Sequence, residues 1–288
     1  MKYNVNRPFG QLCFSVILCV LAFVFAACSN TNQPSPSYNV SKPDSVYVYT
    51  VDTSGNETLN RIIYYSYDAA KNQTCVQESF CTSKQIHKTE FQYNAKGLMI
   101  KKKEMFYSEY SDPAGWNTGI YTIYTYDDKN KLSSLVDYEG YDDPLPEYPY
   151  HKGICSWTDD YNMECQVYEY EFPSNDSVVE KAAQKLYITY NTNGDILQKR
   201  LYFLYLPVKT PDGEIPNMVF EYTYDKYGNA TSYTETTYNT SGIANQFREE
   251  RNQYDYDEKG KILVKLCTHI DQLVDKRWEK KEKYVYYY

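Results

Sequence analysis

The chain has 288 residues, 35 of them Tyr, with 24% charged residues and a formal net charge of -8. Aromatics make up 17%, enough apolar surface to offset the entropy of ordering a backbone, which excludes a disordered chain. The acidic balance, with a sequence pI near 5.1, excludes a nucleic-acid partner, which needs a basic footprint. The single strongly apolar run lies near the N-terminus, which excludes a multispanning helical membrane protein.

That run belongs to an export signal. Lys2 and Arg7 form a positive n-region, Leu12 to Phe25 supply the apolar h-region, and the small residues Ala26 and Ala27 precede Cys28. The stretch Phe25-Ala26-Ala27-Cys28 resembles the lipobox of bacterial lipoproteins, with Phe25 where Leu is usual. The resemblance implies cleavage before Cys28 by signal peptidase II and a diacylglyceryl group on its thiol. A further acyl chain (a palmitate, for example) on the new N-terminus would exceed the two signals that stable anchoring needs. A plain secretory signal and an uncleaved membrane helix are the rival readings, and the apolar stretch is short for a span. Residues 1–27 are thus read as a signal peptide and 28–44 as a lipidated cysteine with a Ser-, Asn-, Pro- and Thr-rich flexible tether. Residues 45–288 form the folded domain.

Export places the remaining cysteines in an oxidising compartment. Cys13 and Cys19 leave with the signal and Cys28 is acylated, so Cys75, Cys81, Cys155, Cys165 and Cys267 remain. An odd number leaves at least one unpaired or bonded elsewhere. Cys155–Cys165 is the preferred pair because it brackets an expected turn; Cys75 and Cys81 share one expected strand and would pair poorly. No Cys-x-x-Cys or His/Cys spacing points to zinc, and no cofactor is expected.

From residue 45 onward one phrase recurs: an aromatic, a spacer, Tyr, then Asp or Asn, two residues, and Gly or Asn. It occurs at Phe91 to Gly97, Tyr124 to Asn130, Tyr222 to Gly228 and Tyr254 to Gly260. Tyr190 to Gly194 lacks the leading aromatic, and Tyr65 to Asn72 carries one extra residue. Aromatics two apart lie on one strand face. Asp or Asn bonds to nearby backbone amides, and Gly or Asn three later tolerates positive φ. Together they describe a type I turn closing a hairpin with a bulge. Alternating segments between such turns predict sixteen strands: 45–51, 57–67, 73–82, 87–93, 98–107, 119–126, 131–139, 154–158, 163–172, 178–190, 195–206, 218–224, 229–238, 244–256, 261–270 and 276–288. Val178 to Leu186 is the best helical candidate and a poor one.

The fold class is therefore all-β, a long antiparallel meander of repeated hairpins curling towards an open or closed water-soluble barrel. In a meander the turns at 94–97, 127–130, 191–194, 225–228 and 257–260 share one edge, and the connections 108–118, 140–153 and 207–217 share the other. Lys101, Lys102 and Lys103 are consecutive and Arg277 to Lys283 is equally charged, so both faces of these strands carry cations. A mid-membrane Lys or Arg costs about 2–4 kcal/mol, which argues against a lipid-facing wall.

The phrase resembles the YD repeats of Rhs-type surface and toxin proteins, best seen at Tyr222 to Gly228 and Tyr254 to Gly260. It is more similar still to lipoprotein families of gut Gram-negative bacteria built from the same hairpins behind a lipobox. This resemblance implies an outer-membrane lipoprotein facing the periplasm or the cell surface. Asp44-Ser45-Val46 and Asp176-Ser177-Val178 look like the acceptor tripeptide of O-glycosylation in such bacteria, a likeness that chance explains equally well.

Catalysis finds little support. His87, His151 and His269 lie on separate segments without a nucleophile motif. Asp159-Asp160 reads as a hairpin turn and Asp142-Asp143 as a solvated loop, whereas a glycosidase needs carboxylates held across a cleft. The better candidate is a binding surface, because long irregular loops on a rigid sheet carry function. The connection from Glu139 to Ser156 contains Tyr141, Tyr148, Tyr150 and His151, with Trp157 just beyond; 108–118 adds Tyr110 and Trp116 beside Asp112. Flat aromatics beside carboxylates suit sugar rings. The expected function is a lipid-anchored, non-enzymatic binding or adhesion protein for a glycan or an envelope protein. A purely structural envelope protein and an envelope hydrolase are the alternatives.

Overall fold

The computed structural model describes residues 42–83, 85–108, 115–139, 149–171, 179–211, 213–273 and 276–288; Cys28 and most of the tether lie outside them. The first six strands are β1 (Ser45–Val51), β2 (Glu57–Tyr67), β3 (Gln73–Phe80), β4 (Ile86–Tyr93), β5 (Met99–Ser108) and β6 (Gly115–Tyr126). There follow β7 (Leu132–Glu139), β8 (Pro149–Trp157), β9 (Asn162–Glu171), β10 (Val179–Tyr190), β11 (Ile196–Phe203), β12 (Val208–Thr210) and β13 (Gly213–Ile215). The last five are β14 (Met218–Tyr224), β15 (Ala230–Tyr238), β16 (Ala244–Tyr256), β17 (Ile262–Leu273) and β18 (Lys276–Tyr287). Sixteen of these pair in chain order, and β1 pairs antiparallel with β18 from Ser45↔Tyr287 to Val51↔Lys281, closing a barrel. β12 and β13 form a separate hairpin between β11 and β14.

The sixteen expected segments match the sixteen barrel strands, and Val178 to Leu186 falls in β10 rather than in a helix. Three features depart from expectation. The connection 207–217 contains the β12–β13 hairpin, β6 begins at Gly115, which puts Trp116 in a strand, and β8 begins at Pro149, which puts Tyr150 and His151 in a strand rather than a loop. The reason is the alternation His151, Gly153, Cys155 on the buried face, which extends the strand back to a proline at its first position, where a missing N–H is tolerated.

The repeated phrase builds each hairpin as its chemistry requires. In the first copy Gly97 donates its N–H to the Asn94 carbonyl at 2.9 Å, while Asn94 Oδ1 accepts from Lys96 N at 2.9 Å and Leu98 N at 3.0 Å. The residue three after the Asp or Asn has positive φ in every copy, and at one turn it is Asn130 with φ 63°. At Asp68 that residue is Lys71 (φ 66°), not Asn72. The frame is thus kept without an extra residue, because Asn72 caps Asp68 through its own N–H and side-chain amide. Turns Asp52–Gly55 and Asn239–Gly242 use the same bonds, though neither has the leading Tyr-x-Tyr. The pairing register shifts by one at Tyr67, Tyr93, Tyr126, Tyr190, Tyr224 and Tyr256, the bulge expected of this turn.

The phrase tyrosines then latch neighbouring hairpins together. Tyr93 donates its hydroxyl to Gln73 O at 2.9 Å, Tyr126 to Met99 O at 2.7 Å and Tyr224 to Ile196 O at 2.8 Å. In each case a strand end reaches the first residue, or a flanking one, of the strand before it. Tyr67 reaches Pro43 O, Tyr254 reaches Ala230 O and Tyr288 reaches Ile262 O in the same manner. Trp157 takes the same role at the end of β8, donating Nε1 to Leu132 O at 3.1 Å.

These latches mark one rim of the barrel, the turn rim, where the chain also enters through Asp44 and finishes at Tyr288. The opposite loop rim carries the ends of β5, β7, β9 and β11 and the hairpin β12–β13. On the inner face, β6 to β14 supply a continuous apolar core that includes Tyr124, Leu135, Val167, Leu186, Leu201 and Phe220. A smaller cluster of Val46, Val48 and Ile63 lies where the barrel closes. Outward, the strands present Lys101 and Lys103 on β5, Arg251 on β16, and Lys281 and Lys283 on β18, so the outer wall is charged at mid-height.

Cys155 and Cys165 are direct cross-strand partners, both buried, with sulfurs 2.7 Å apart. Beside them, a Cβ built on Gly153 would lie 2.9 Å from Cys165 Sγ and 3.1 Å from Leu135 Cγ. Replacing Gly153 by Ala is expected to cost about 1–3 kcal/mol by overpacking. Tyr126→Phe is expected to cost about 1 kcal/mol through the orphaned Met99 carbonyl, whereas Tyr64→Phe, 43% exposed, leaves stability within about 0.5 kcal/mol. Urea unfolding followed by circular dichroism checks all three, and an unchanged Tyr126→Phe midpoint contradicts the latch.

Candidate functional site

Of the aromatics singled out in the sequence, Tyr110, Tyr141 and Tyr148 lie outside the described residues. Trp116, 38% exposed, stands at the start of β6 on the loop rim, edge-on to Tyr107 with ring centroids 5.7 Å apart. Lys88 Nζ sits 5.4 Å from the Trp116 ring and pairs with Glu90 at 2.6 Å. Tyr150 lies on the same rim and packs edge-on to His151, centroids 4.1 Å apart. Trp157 does not join them. It lies at the turn rim, stacked on Tyr190 and latched to Leu132, because β8 carries residues 149 and 157 to opposite ends of the barrel.

Asp159 is a turn residue, its carboxylate accepting from Tyr161 N and Asn162 N at 2.7 and 2.8 Å. Asp142 and Asp143 lie outside the described residues, as do Asp176, Ser177 and Val178. Ser45 is the first residue of β1, paired with both Tyr287 and Tyr64.

Two groups of titratable side chains on the inner wall were not singled out as sites in the sequence. The first is Asp137 on β7 and His151 on β8, cross-strand partners each 1% exposed, with Oδ2 and Nδ1 3.8 Å apart. Burial pushes the Asp137 carboxyl up to about 7, against weaker lowering by Thr122 and Lys102. Burial pushes the His151 imidazole down to about 4. Both shifts favour the neutral forms.

The second group spans β16, β17 and β18. Cys267 and His269 are two apart on β17 and so share its inner face. Register places His269 opposite Glu250 and Cys267 opposite Glu282. Cys267 Sγ lies 3.6 Å from Glu250 Oε1 and 4.0 Å from His269 Nδ1, and that nitrogen lies 3.6 Å from Glu250 Oε2. His269 Nε2 lies 3.3 Å from Cys267 Sγ and 3.5 Å from Glu282 Oε2. Burial, then the Glu250 carboxylate, pushes the Cys267 thiol up to about 12. Burial would raise Glu282 as well, but His269, Lys280 and Tyr284 bond to its carboxylate and the Arg61 charge lies close; together they hold it well below the usual range. A cavity of about 300 Å³ lined by Tyr233, Arg248, Asp271, Trp278 and Lys280 reaches Glu250 and His269. Sequence spacing missed this group because its members come from three strands, and only the pairing register brings them together.

No family model matches the chain, and no curated relative matches it. Among solved structures, a porin-like protein from Bacteroides uniformis is similar at 8% identity and a TM-score of 0.35, covering 88% of this chain and 98% of that one. A protein of unknown function from Bacteroides fragilis is 11% identical with a TM-score of 0.32, covering 41% of this chain and 80% of the other. A DUF3836 family protein from Parabacteroides distasonis is 11% identical with a TM-score of 0.25, covering 33% and 87%. Likenesses this distant transfer neither activity nor residue roles.

The Asp137–His151 pair has a pH signature. Asp137 holds its proton more tightly folded than unfolded, so its contribution to stability is full below about 4 and is lost as pH rises through about 7. His151 resists protonation when folded, so its contribution is present above 6.5 and is lost as pH falls towards about 4. The two slopes oppose each other in the native chain. Asp137→Asn removes only the first, so the stability of the variant relative to the parent is expected to grow from pH 4 to pH 8. A difference constant across that range, measured by urea unfolding, contradicts the raised carboxyl.

Proposed function

We propose that the chain is a lipid-anchored protein of the outer membrane whose barrel holds its loop rim towards a glycan or protein partner, without catalysing a reaction. The carrying observation is the opposite placement of chain entry and the exposed tryptophans. Chain entry at Asp44 is on the turn rim, bonded to Tyr287 O at 2.8 Å. Exposed apolar side chains occur at both ends, Leu197, Leu263 and Tyr287 among them at the turn end, but the exposed tryptophans, Trp116 and Trp278, both stand on the loop rim with Phe106, Leu206 and Leu273, Trp278 being 51% exposed. Exposed tryptophans beside other apolar side chains at one end of a charged wall suit an interaction site. The lipobox at Cys28 supplies the anchor in this reading, and the tether that follows lets the turn rim face the membrane. Charged outer strands fit a barrel held in water by a lipid rather than one embedded by its own wall.

Two measurements test this. Labelled palmitate is expected in the native chain and absent from Cys28→Ala; retained label removes the anchor. Glycan-array binding and crosslinking in intact envelopes are expected to weaken at least about tenfold, or about 1.4 kcal/mol, with Trp116→Ala or Trp278→Ala. Trp157→Ala, on the opposite rim, serves as the control. Equal binding by all three variants refutes the loop-rim site. A single crosslinked protein partner that all three variants retain, without glycan binding, identifies the structural alternative.

A further inference from the structure

We infer that Glu250, Cys267 and His269 form a binding site for a divalent, thiophilic metal ion, Zn²⁺ by the chemistry of the donor set. One thiol, one imidazole and one carboxylate converge from two paired strands, and their candidate ligand atoms all lie within 4.8 Å of one another. Zinc bonds of about 2.0–2.3 Å in a tetrahedron separate neighbouring ligand atoms by about 3.3–3.7 Å. The separations among Sγ, the Glu250 carboxylate and Nδ1 are 3.6, 3.6 and 4.0 Å, and Nε2 lies nearer the sulfur at 3.3 Å, so the imidazole must rotate to aim Nδ1 at a metal held by the thiol. Thiolate and imidazole together select zinc over the harder magnesium and calcium.

The surroundings are arranged as a metal site requires. With Nδ1 of His269 as ligand, Nε2–H is left for Glu282 Oε2, 3.5 Å away in this structure, as the outer carboxylate that commonly orients a ligating histidine. Glu282 is itself fixed, accepting from Tyr284 OH and Lys280 Nζ at 2.7 Å each and facing Arg61 NH1 at 3.4 Å. The nearby cations are thereby occupied: Lys280 holds Glu282, and Lys265 Nζ lies 4.7 Å from the centre of the Tyr284 ring. Cys267 is fully buried, while Glu250 and His269 are each about one third exposed towards the cavity under Trp278. A metal therefore has an entry path, and a fourth position remains for water or a ligand group arriving from the loop rim. Binding forms a metal–sulfur bond and breaks the Cys267 S–H bond, the proton leaving to solvent.

The test is a titration of Co²⁺ into the reduced, purified full chain. A thiolate-to-cobalt charge-transfer band is expected, saturating at one metal per chain and displaced by Zn²⁺. Cys267→Ser is expected to abolish the band, and His269→Gln or Glu250→Gln to weaken binding at least about tenfold. Glu250→Gln changes a side chain one third exposed and retains the thiol, so it reads the site even if Cys267→Ser disturbs the core. Absence of the band in the native chain overturns the inference. So does a band that survives Cys267→Ser and disappears in Cys155→Ser, or binding unchanged in both Glu250→Gln and His269→Gln.

Discussion

A tyrosine hydroxyl reaching the carbonyl at the foot of the preceding strand is the contact on which this barrel depends. A type I turn with a bulge rotates the last residue of each strand and interrupts the ladder there. A bulge repeated around a closed sheet would leave a ring of backbone carbonyls poorly paired. Tyr93, Tyr126 and Tyr224 donate into that ring, and their rings pack against the core beneath. One residue type thus closes the hydrogen-bond account of a turn and covers the apolar surface inside it. The abundance of Tyr follows from this geometry more than from any ligand.

The same logic divides the molecule into two ends with different chemistry. At the turn rim nearly every strand end is capped by Asp or Asn and latched by an aromatic. At the loop rim, the Asp52 and Asn239 turns lack the leading Tyr-x-Tyr, and the other connections vary in length. Apolar side chains are left exposed there, and the charged inner wall of β16 to β18 becomes reachable. Around the interior, the apolar core of β6 to β14 faces a side carrying Arg61, Glu235, Arg248, Glu250, His269 and Glu282. The apolar side also buries the Asp137–His151 pair, but the larger group of charged side chains lies opposite it.

Much of the fold was legible in the sequence because a hairpin turn and a period-two strand are local. Residues 91–97 or 254–260 contain all the information needed to make a turn with the right bulge. Pairing order followed from the meander, since consecutive hairpins have no cheaper neighbour. The start of β8 escaped because Pro149 reads as a loop signal until His151 and Gly153 are seen to share a buried face. The two inner groups escaped for a different reason: the partnerships of Asp137 with His151, and of Cys267 with Glu250, are facts of register. Trp157 and Trp116 look alike in composition and differ only in which end of a strand each occupies.

Closure between β1 and β18 joins residues more than two hundred positions apart. As hairpins form along the chain, β1 pairs with β2 and keeps its other edge bare until the final strand arrives. Loop-closure entropy and the long separation make that pairing the slowest topological step, and an open strand edge invites pairing with other chains in the interval. Val46 and Val48, which end as a small buried cluster at the seam, are the residues left uncovered longest. The seam therefore sets when, in folding, the last bare strand edge of the protein is covered.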